Sequence, residues 1–134
     1  MVVDTSAIVS IFLQEPDAGR FERCIGGHPA PLVSAATVLE TSIVIRSRKQ
    51  VDMADADRWL DEFLATGRIQ IMPVTVEQLN VARLAHRRFG KGMGHPAGLN
   101  FGDCFAYALA RTLDIPLLFK GRDFSMTDVK PALA

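Results

Sequence analysis

Cysteine, net charge and long apolar runs are scarce in this sequence, and each scarcity excludes a class of protein. Cys24 and Cys104 are the two cysteines; they lie far apart and outside any C-x-x-C pattern, so a disulfide framework is not expected. The uncharged stretch 24–39 is interrupted by two glycines and two prolines and is too short to cross a bilayer. The N-terminal segment has no basic region and reaches Asp4 at once, unlike a signal peptide. We therefore expect a cytoplasmic protein without a membrane segment.

Net charge is absent because 15 Lys and Arg residues balance 15 Asp and Glu residues. A neutral total provides no long-range attraction to nucleic acid, so an RNA-binding surface would have to be a local patch. The sequence also contains no P-loop, G-x-G-x-x-G or G-x-S-x-G motif. Its length and its 49% hydrophobic content are those of one ordinary globular domain. We therefore predict that residues 1–134 form a single domain.

Short apolar runs alternate along the chain with segments of helical periodicity. The apolar runs predict four buried strands, at residues 1–3, 31–34, 69–73 and 116–119. Caps, periodicity and breakers predict helices at about residues 5–13, 17–24, 37–48, 53–65, 76–89 and 102–113. Continuous apolar strands that alternate with helices indicate an α/β fold, in which a mostly parallel sheet is covered by helices on both faces.

Four acidic residues stand where such a fold would bring them together. Asp4, Glu40 and Asp123 each follow a predicted strand, and Asp103 is at the start of the helix that precedes the last predicted strand. Right-handed crossovers place the carboxyl ends of parallel strands at one edge of the sheet, where sites in open α/β folds cluster. We expect the four carboxyl groups to lie near that edge.

The first two acids also have purely structural interpretations. Asp4 could cap the first helix, although Thr5 and Ser6 could do so equally well. Thr37 and Glu40 match the T-x-x-E capping box, in which the glutamate reaches back to a backbone amide. Both a capping and a catalytic role therefore remain open for each residue.

The other two acids are ambiguous in the same way. Asn100 could cap the helix that follows, which would place Asp103 in the first turn, where the helix dipole favours negative charge. Asp123 could be an ordinary turn residue beside Gly121. Taken together, however, crowded carboxylates repel one another unless a cation neutralises them. Oxygen ligands without Cys or His partners suit Mg²⁺ or Mn²⁺ and allow phosphate chemistry.

Four segments in this order resemble the motifs of PIN-domain ribonucleases. Each motif alone is weak, but the set covers nearly the whole chain, and the segment around Asp103 is the most specific. Residues 2–7 resemble the opening strand with the first acid, and residues 34–40 resemble the stretch with the second acid. Residues 99–108 resemble the helix with the third acid, and residues 117–124 resemble the final strand and turn. The chain is thus similar to VapC-type toxins of type II toxin–antitoxin systems.

The resemblance implies a PIN-like three-layer α/β/α fold with four or five strands in a mostly parallel sheet. It implies a Mg²⁺- or Mn²⁺-dependent endoribonuclease whose hydrolysis leaves a 5′-phosphate and a 3′-hydroxyl. Asp4 and Asp103 would be the main metal ligands, and Glu40 would join them directly or through water. Thr5 or Ser6 would orient a ligand or the scissile phosphate. Such toxins form homodimers and bind an antitoxin protein through a helical groove.

The remaining assignments concern supporting residues. The resemblance also implies that Asn100 is a supporting polar residue and that Asp123 is the fourth catalytic acid. Many relatives have Asp or Asn where this chain has Arg122, which could instead meet a phosphate. Two basic clusters at predicted helix ends could follow an RNA backbone, or could simply complement helix dipoles: Arg46, Arg48 and Lys49, and Arg87, Arg88 and Lys91.

Two other functions stay open at this point. An aspartate that ends the first strand could be the nucleophile of a haloacid-dehalogenase-type phosphatase, but such sites have a second Asp where this chain has Ser6. A catalytically silent PIN-like module could bind RNA or a partner protein. The combination of Asp4, Glu40 and Asp103 argues against that alternative, because a binding module has no need of a costly acidic cluster.

Overall fold

The centre of the molecule is a four-stranded parallel sheet, as seen in a computed structural model that describes residues 1–48 and 50–133. The strands lie in the order β3-β2-β1-β4. They are β1 (Val2–Val3), β2 (Leu32–Ser34), β3 (Gln70–Met72) and β4 (Leu117–Leu118). Every predicted strand is confirmed, and every pairing is parallel. Beyond β4, Pro131 forms an isolated parallel bridge with Leu117.

Six helices connect and flank the strands. Their bounds are α1 (Thr5–Phe12), α2 (Ala18–Gly26), α3 (Ala35–Arg46), α4 (Met53–Thr66), α5 (Val76–Phe89) and α6 (Phe101–Leu113). A short 3-10 turn, Phe124–Met126, follows β4. All six predicted helices are present, and α5 has the predicted bounds. None of the helices in the described part of the chain is long and apolar enough to cross a membrane.

The start of α3 differs from the prediction. Ser34 ends β2 and caps α3 directly, because its hydroxyl accepts a hydrogen bond of 3.3 Å from the backbone N–H of Ala36. Thr37 therefore lies inside the helix, and its predicted role as a cap is wrong. The capping-box interpretation of Glu40 is wrong for the same reason, since Glu40 is in the second turn, beyond the unpaired amides of the helix start.

The layers follow from the alternation of side chains along the strands. Val2 and Leu117 point into a core formed with α5 and α6, whereas Val3 and Leu118 point into a core formed with α1, α2 and α4. Successive residues of a strand face opposite sides of a sheet, so these two cores lie on opposite faces. The predicted three-layer α/β/α arrangement is confirmed.

Helix α3 brings the predicted site residues together. It packs against both α1 and α6. Helix α1 begins at the carboxyl end of β1, and α3 begins at the carboxyl end of β2. The first turns of α1 and α6 both lie against α3, where Thr5 and Gly102 contact Glu40.

Candidate active site at the sheet edge

Asp4 is an almost fully buried carboxylate that connects two strand ends. It caps α1: its Oδ2 accepts hydrogen bonds from the backbone N–H of Ser6 (2.9 Å) and from the Ser6 hydroxyl (2.6 Å). The Ser6 Oγ in turn accepts a hydrogen bond of 2.9 Å from the backbone N–H of Lys120, just beyond β4. Asp4 is thereby held rigidly between the ends of β1 and β4.

The second oxygen of Asp4 has no such support. Its Oδ1 is buried and has no hydrogen-bond partner in the described part of the chain. Burying a charged oxygen without a partner is costly. Accordingly, desolvation raises the pKa of Asp4 to about 6; the Ser6 hydrogen bonds oppose the rise and the charge of Glu40 adds to it. A cation beside Oδ1 would remove this cost.

Glu40 reaches the same region from the second turn of α3. Its Oε1 accepts a hydrogen bond of 2.5 Å from the hydroxyl of Thr5, the first residue of α1. Its carboxylate also lies against the backbone of Gly102 in α6, so closely that a Cβ atom on residue 102 would overlap it. An alanine at position 102 would therefore push the Glu40 carboxylate out of this orientation.

Asp103 enters from the first turn of α6 and is both a capping residue and a member of the acidic group. The Asp103 backbone N–H donates to Asn100 Oδ1 (2.8 Å), and Asp103 Oδ2 accepts from the Asn100 backbone N–H (3.0 Å). Burial raises the pKa of Asp103 to about 7, and the charges of Asp4, Glu40 and Asp123 contribute to the rise. The hydrogen bond from Asn100 acts in the opposite direction and lowers this pKa. The structure thus places the other three predicted acids close enough to Asp103 for their charges to act on it.

Asp123 is the most exposed of the four acids. It precedes the 3-10 turn without making a side-chain capping bond, and its neighbour Arg122 is also exposed. No three His, Cys, Asp or Glu side chains among residues 1–48 and 50–133 are close enough together to form a metal cage by themselves.

The predicted basic residues divide into two groups. Arg46 forms an ion pair with Asp57 (2.8 Å), and Arg88 lies 3.5 Å from Asp128 and over the ring of Phe89. Both side chains therefore have structural partners. The others are exposed on the surface: Arg48, Arg87, Lys91 and Arg122. Lys49 lies outside the described residues.

Two residues at the site were not identified from the sequence. Gly102 could have been, because glycine lets another group approach the backbone closely. Thr41, whose hydroxyl lies 3.1 Å from that of Thr5, had no such signal. Its contact joins α3 to α1, across 36 residues of sequence, and no local pattern encodes it.

Comparison with known sequences gives matches over nearly the whole chain. The model of the PIN domain family matches residues 1–130. A protein of Mycolicibacterium smegmatis named Ribonuclease VapC is 48% identical over 129 residues, which cover 96% of this chain and 97% of the relative. Ribonuclease VapC28 of Mycobacterium tuberculosis is 44% identical over 133 residues, with 99% and 98% covered.

Solved structures show the same fold at low sequence identity. The crystal structure of Mycobacterium tuberculosis VapC20, described as a Sarcin-Ricin loop cleaving toxin, has a TM-score of 0.74 at 18% identity, and the match covers 96% of this chain and 95% of that one. A toxin–antitoxin complex from Klebsiella pneumoniae has a TM-score of 0.67 at 14% identity, with 92% and 89% covered. At these identities the likeness concerns the fold alone.

Proposed function

This chain belongs to the PIN domain family, and from that membership we propose that it is a metal-dependent endoribonuclease, the toxin of a VapBC-type toxin–antitoxin pair. The relatives named ribonuclease VapC, 44% to 48% identical over nearly the full length, support the nuclease assignment. The observation that carries the metal dependence is the buried, unpartnered Oδ1 of Asp4 within a group of mutually repelling carboxylates.

The residues fit a hard divalent cation such as Mg²⁺ or Mn²⁺. Asp4 and Asp103 would hold it, and Glu40 would contact it directly or through water. Oxygen donors without nitrogen or sulfur partners favour these ions over zinc. When bound, the ion would lower the pKa of a water molecule and stabilise negative charge that develops on the scissile phosphate. Asp123 is proposed as a more loosely held fourth acid.

The other residues of the site would hold the acids in place. Ser6 fixes one oxygen of Asp4, Thr5 fixes one oxygen of Glu40, and Asn100 fixes Asp103 through the cap of α6. Preorganised ligands lose little entropy when the ion and the substrate arrive. Exposed basic side chains would contact the phosphates of a single-stranded RNA substrate; they are Arg48, Arg87, Lys91 and Arg122. Cleavage of that RNA would leave a 5′-phosphate and a 3′-hydroxyl.

We also propose a homodimer that binds an antitoxin in the cytoplasm. Large apolar side chains are exposed on α3, on the edge strand β3 and on α5: Leu39, Ile43, Ile71, Val76 and Leu79. Apolar surface of this kind marks protein–protein contacts. The relatives' names support an antitoxin partner.

Incubation of the purified, antitoxin-free chain with a panel of tRNAs and structured RNAs tests the proposal. Cleavage is expected with Mg²⁺ or Mn²⁺ and should stop with EDTA. The Asp4→Asn protein, purified in the same way, controls for contaminating nucleases. Folded protein that cuts none of these RNAs with either metal would instead favour the catalytically silent binding module.

A further inference from the structure

Thr41 is a fully buried hydroxyl next to Glu40 in the chain. Its side chain is 0% exposed. Its Oγ1 lies 2.8 Å from the carbonyl oxygen of Thr37, one helical turn earlier, and 3.1 Å from the Oγ1 of Thr5 in α1. A threonine inside a helix commonly donates to the carbonyl four residues back. The contact with Thr5 is of a different kind, because it joins α3 to α1.

Thr41 lies where its hydroxyl can hold the Thr5 hydroxyl beside Glu40. A hydroxyl has one proton to give. Besides Glu40 Oε1 at 2.5 Å, Thr5 Oγ1 has the Thr37 carbonyl oxygen within reach at 3.4 Å. Thr41 binds that carbonyl at the shorter distance of 2.8 Å, and alternatively it donates to Thr5 itself. When Thr41 donates to Thr5, the Thr5 oxygen accepts that hydrogen bond and its own proton goes to Glu40 Oε1, its nearest acceptor.

We infer that Thr41 is a positioning residue: through Thr5, its buried hydroxyl holds the Glu40 carboxylate in the orientation that a divalent cation needs. The inference rests on the proposed function, because it takes Glu40 as a member of the metal-binding group. Thr41 has no exposed surface, so it acts through Thr5 and Glu40 and touches neither metal nor RNA. Residues that orient a metal-binding side chain contribute to affinity although they do not contact the ion.

Three variants of the full chain test this role. Thr41→Val keeps the branched shape and removes the hydroxyl, whereas Thr41→Ser keeps the hydroxyl. Thr37→Val is the matched control, because Thr37 is on the same helix and equally buried, and its hydroxyl has no hydrogen-bond partner in the described residues. The backbone carbonyl of Thr37 is unchanged by that substitution. If Thr41→Val does not fold, Thr41→Cys replaces the hydroxyl with a weak donor.

Binding of Mn²⁺ alone, followed by electron paramagnetic resonance, is the first readout, and RNA cleavage is the second. We expect Thr41→Val to bind Mn²⁺ about tenfold more weakly, while Thr41→Ser and Thr37→Val bind as the wild type does. Cleavage at limiting Mn²⁺ should fall in parallel, with the KM for RNA unchanged.

The outcomes separate this inference from the proposed nuclease. Equal Mn²⁺ affinity in Thr41→Val and Thr37→Val would overturn the inference, and so would an equal loss in Thr41→Ser and Thr41→Val. A wild type that binds no Mn²⁺ would overturn it together with the metal dependence. The expected pattern of Mn²⁺ affinities without cleavage of any RNA would support the inference and count against the nuclease.

Discussion

Asp4→Asn should change how the stability of the metal-free protein depends on pH. Burial raises the pKa of Asp4 in the folded state to about 6, from an ordinary value of 3.8. The folded state therefore binds this proton more tightly than the unfolded state does. The resulting stability is fully present below the ordinary pKa and is lost as the pH rises through about 6. The amide of the variant cannot ionise, so the variant should not show this loss.

The size of the effect follows from the two pKa values. Each tenfold difference in proton affinity corresponds to about 1.4 kcal/mol, so the whole shift is worth about 3 kcal/mol. The unfolded carboxyl is already more than half ionised at pH 4, so the wild type should lose about 2.4 kcal/mol relative to the variant as the pH rises from 4 to 7. The asparagine oxygen can still accept the hydrogen bond from the Ser6 backbone N–H. Any constant cost of the amide group cancels, because the comparison is between pH values and not between absolute stabilities.

Urea unfolding in EDTA at several pH values between 4 and 7 measures this difference. Asp61→Asn, a change at an exposed position of α4, is the control and should follow the wild-type profile at every pH. Saturating Mn²⁺ should stabilise the wild type at pH 7 and leave Asp4→Asn unchanged. A difference between Asp4→Asn and the wild type that stays constant over this pH range would refute the reasoning.

Two further predictions concern the contacts around Glu40 and the protonation of the acids. Gly102→Ala should reduce cleavage at least about tenfold, because the added Cβ overlaps the Glu40 carboxylate. Gly26→Ala in α2 meets no atom within 4 Å and should leave cleavage intact, so equal activity of the two variants would contradict the proposed contact. Cleavage at limiting metal should rise between about pH 5.5 and pH 8, because protons compete with the metal for Asp4 and Asp103; a flat profile would exclude these acids as ligands.

The sequence predicts the elements of this fold well because the local signals agree with one another. The bounds of α5 are as predicted, since Thr75 accepts a hydrogen bond from Gln78 at the start and Gly90 follows the end. The start of α3 was mispredicted because Ser34 and Thr37 are both good caps. Which of them caps the helix depends on the exact residue at which β2 ends, and apolar runs do not define that position.

The candidate site is less accessible to prediction, for a physical reason. Asp4 and Asp103 looked ambiguous between capping and metal binding, and in the structure each caps its helix while also belonging to the acidic group. Capping uses one carboxylate oxygen of Asp4 and leaves the other without a partner. The overlap of Glu40 with a Cβ at position 102 depends on how α3 packs against α6, and only tertiary structure reveals it.

Cleavage by Asp103→Asn over a range of Mn²⁺ concentrations is the most direct test of the central claim, that these acids hold a catalytic cation. The amide oxygen of this variant can still accept the capping hydrogen bond from the Asn100 backbone N–H, so the fold should persist, as circular dichroism can verify. We predict that the variant cuts the RNA at least about a thousandfold more slowly at every Mn²⁺ concentration. Wild-type cleavage by the variant at matched Mn²⁺, or wild-type cleavage that persists in EDTA, would contradict the account.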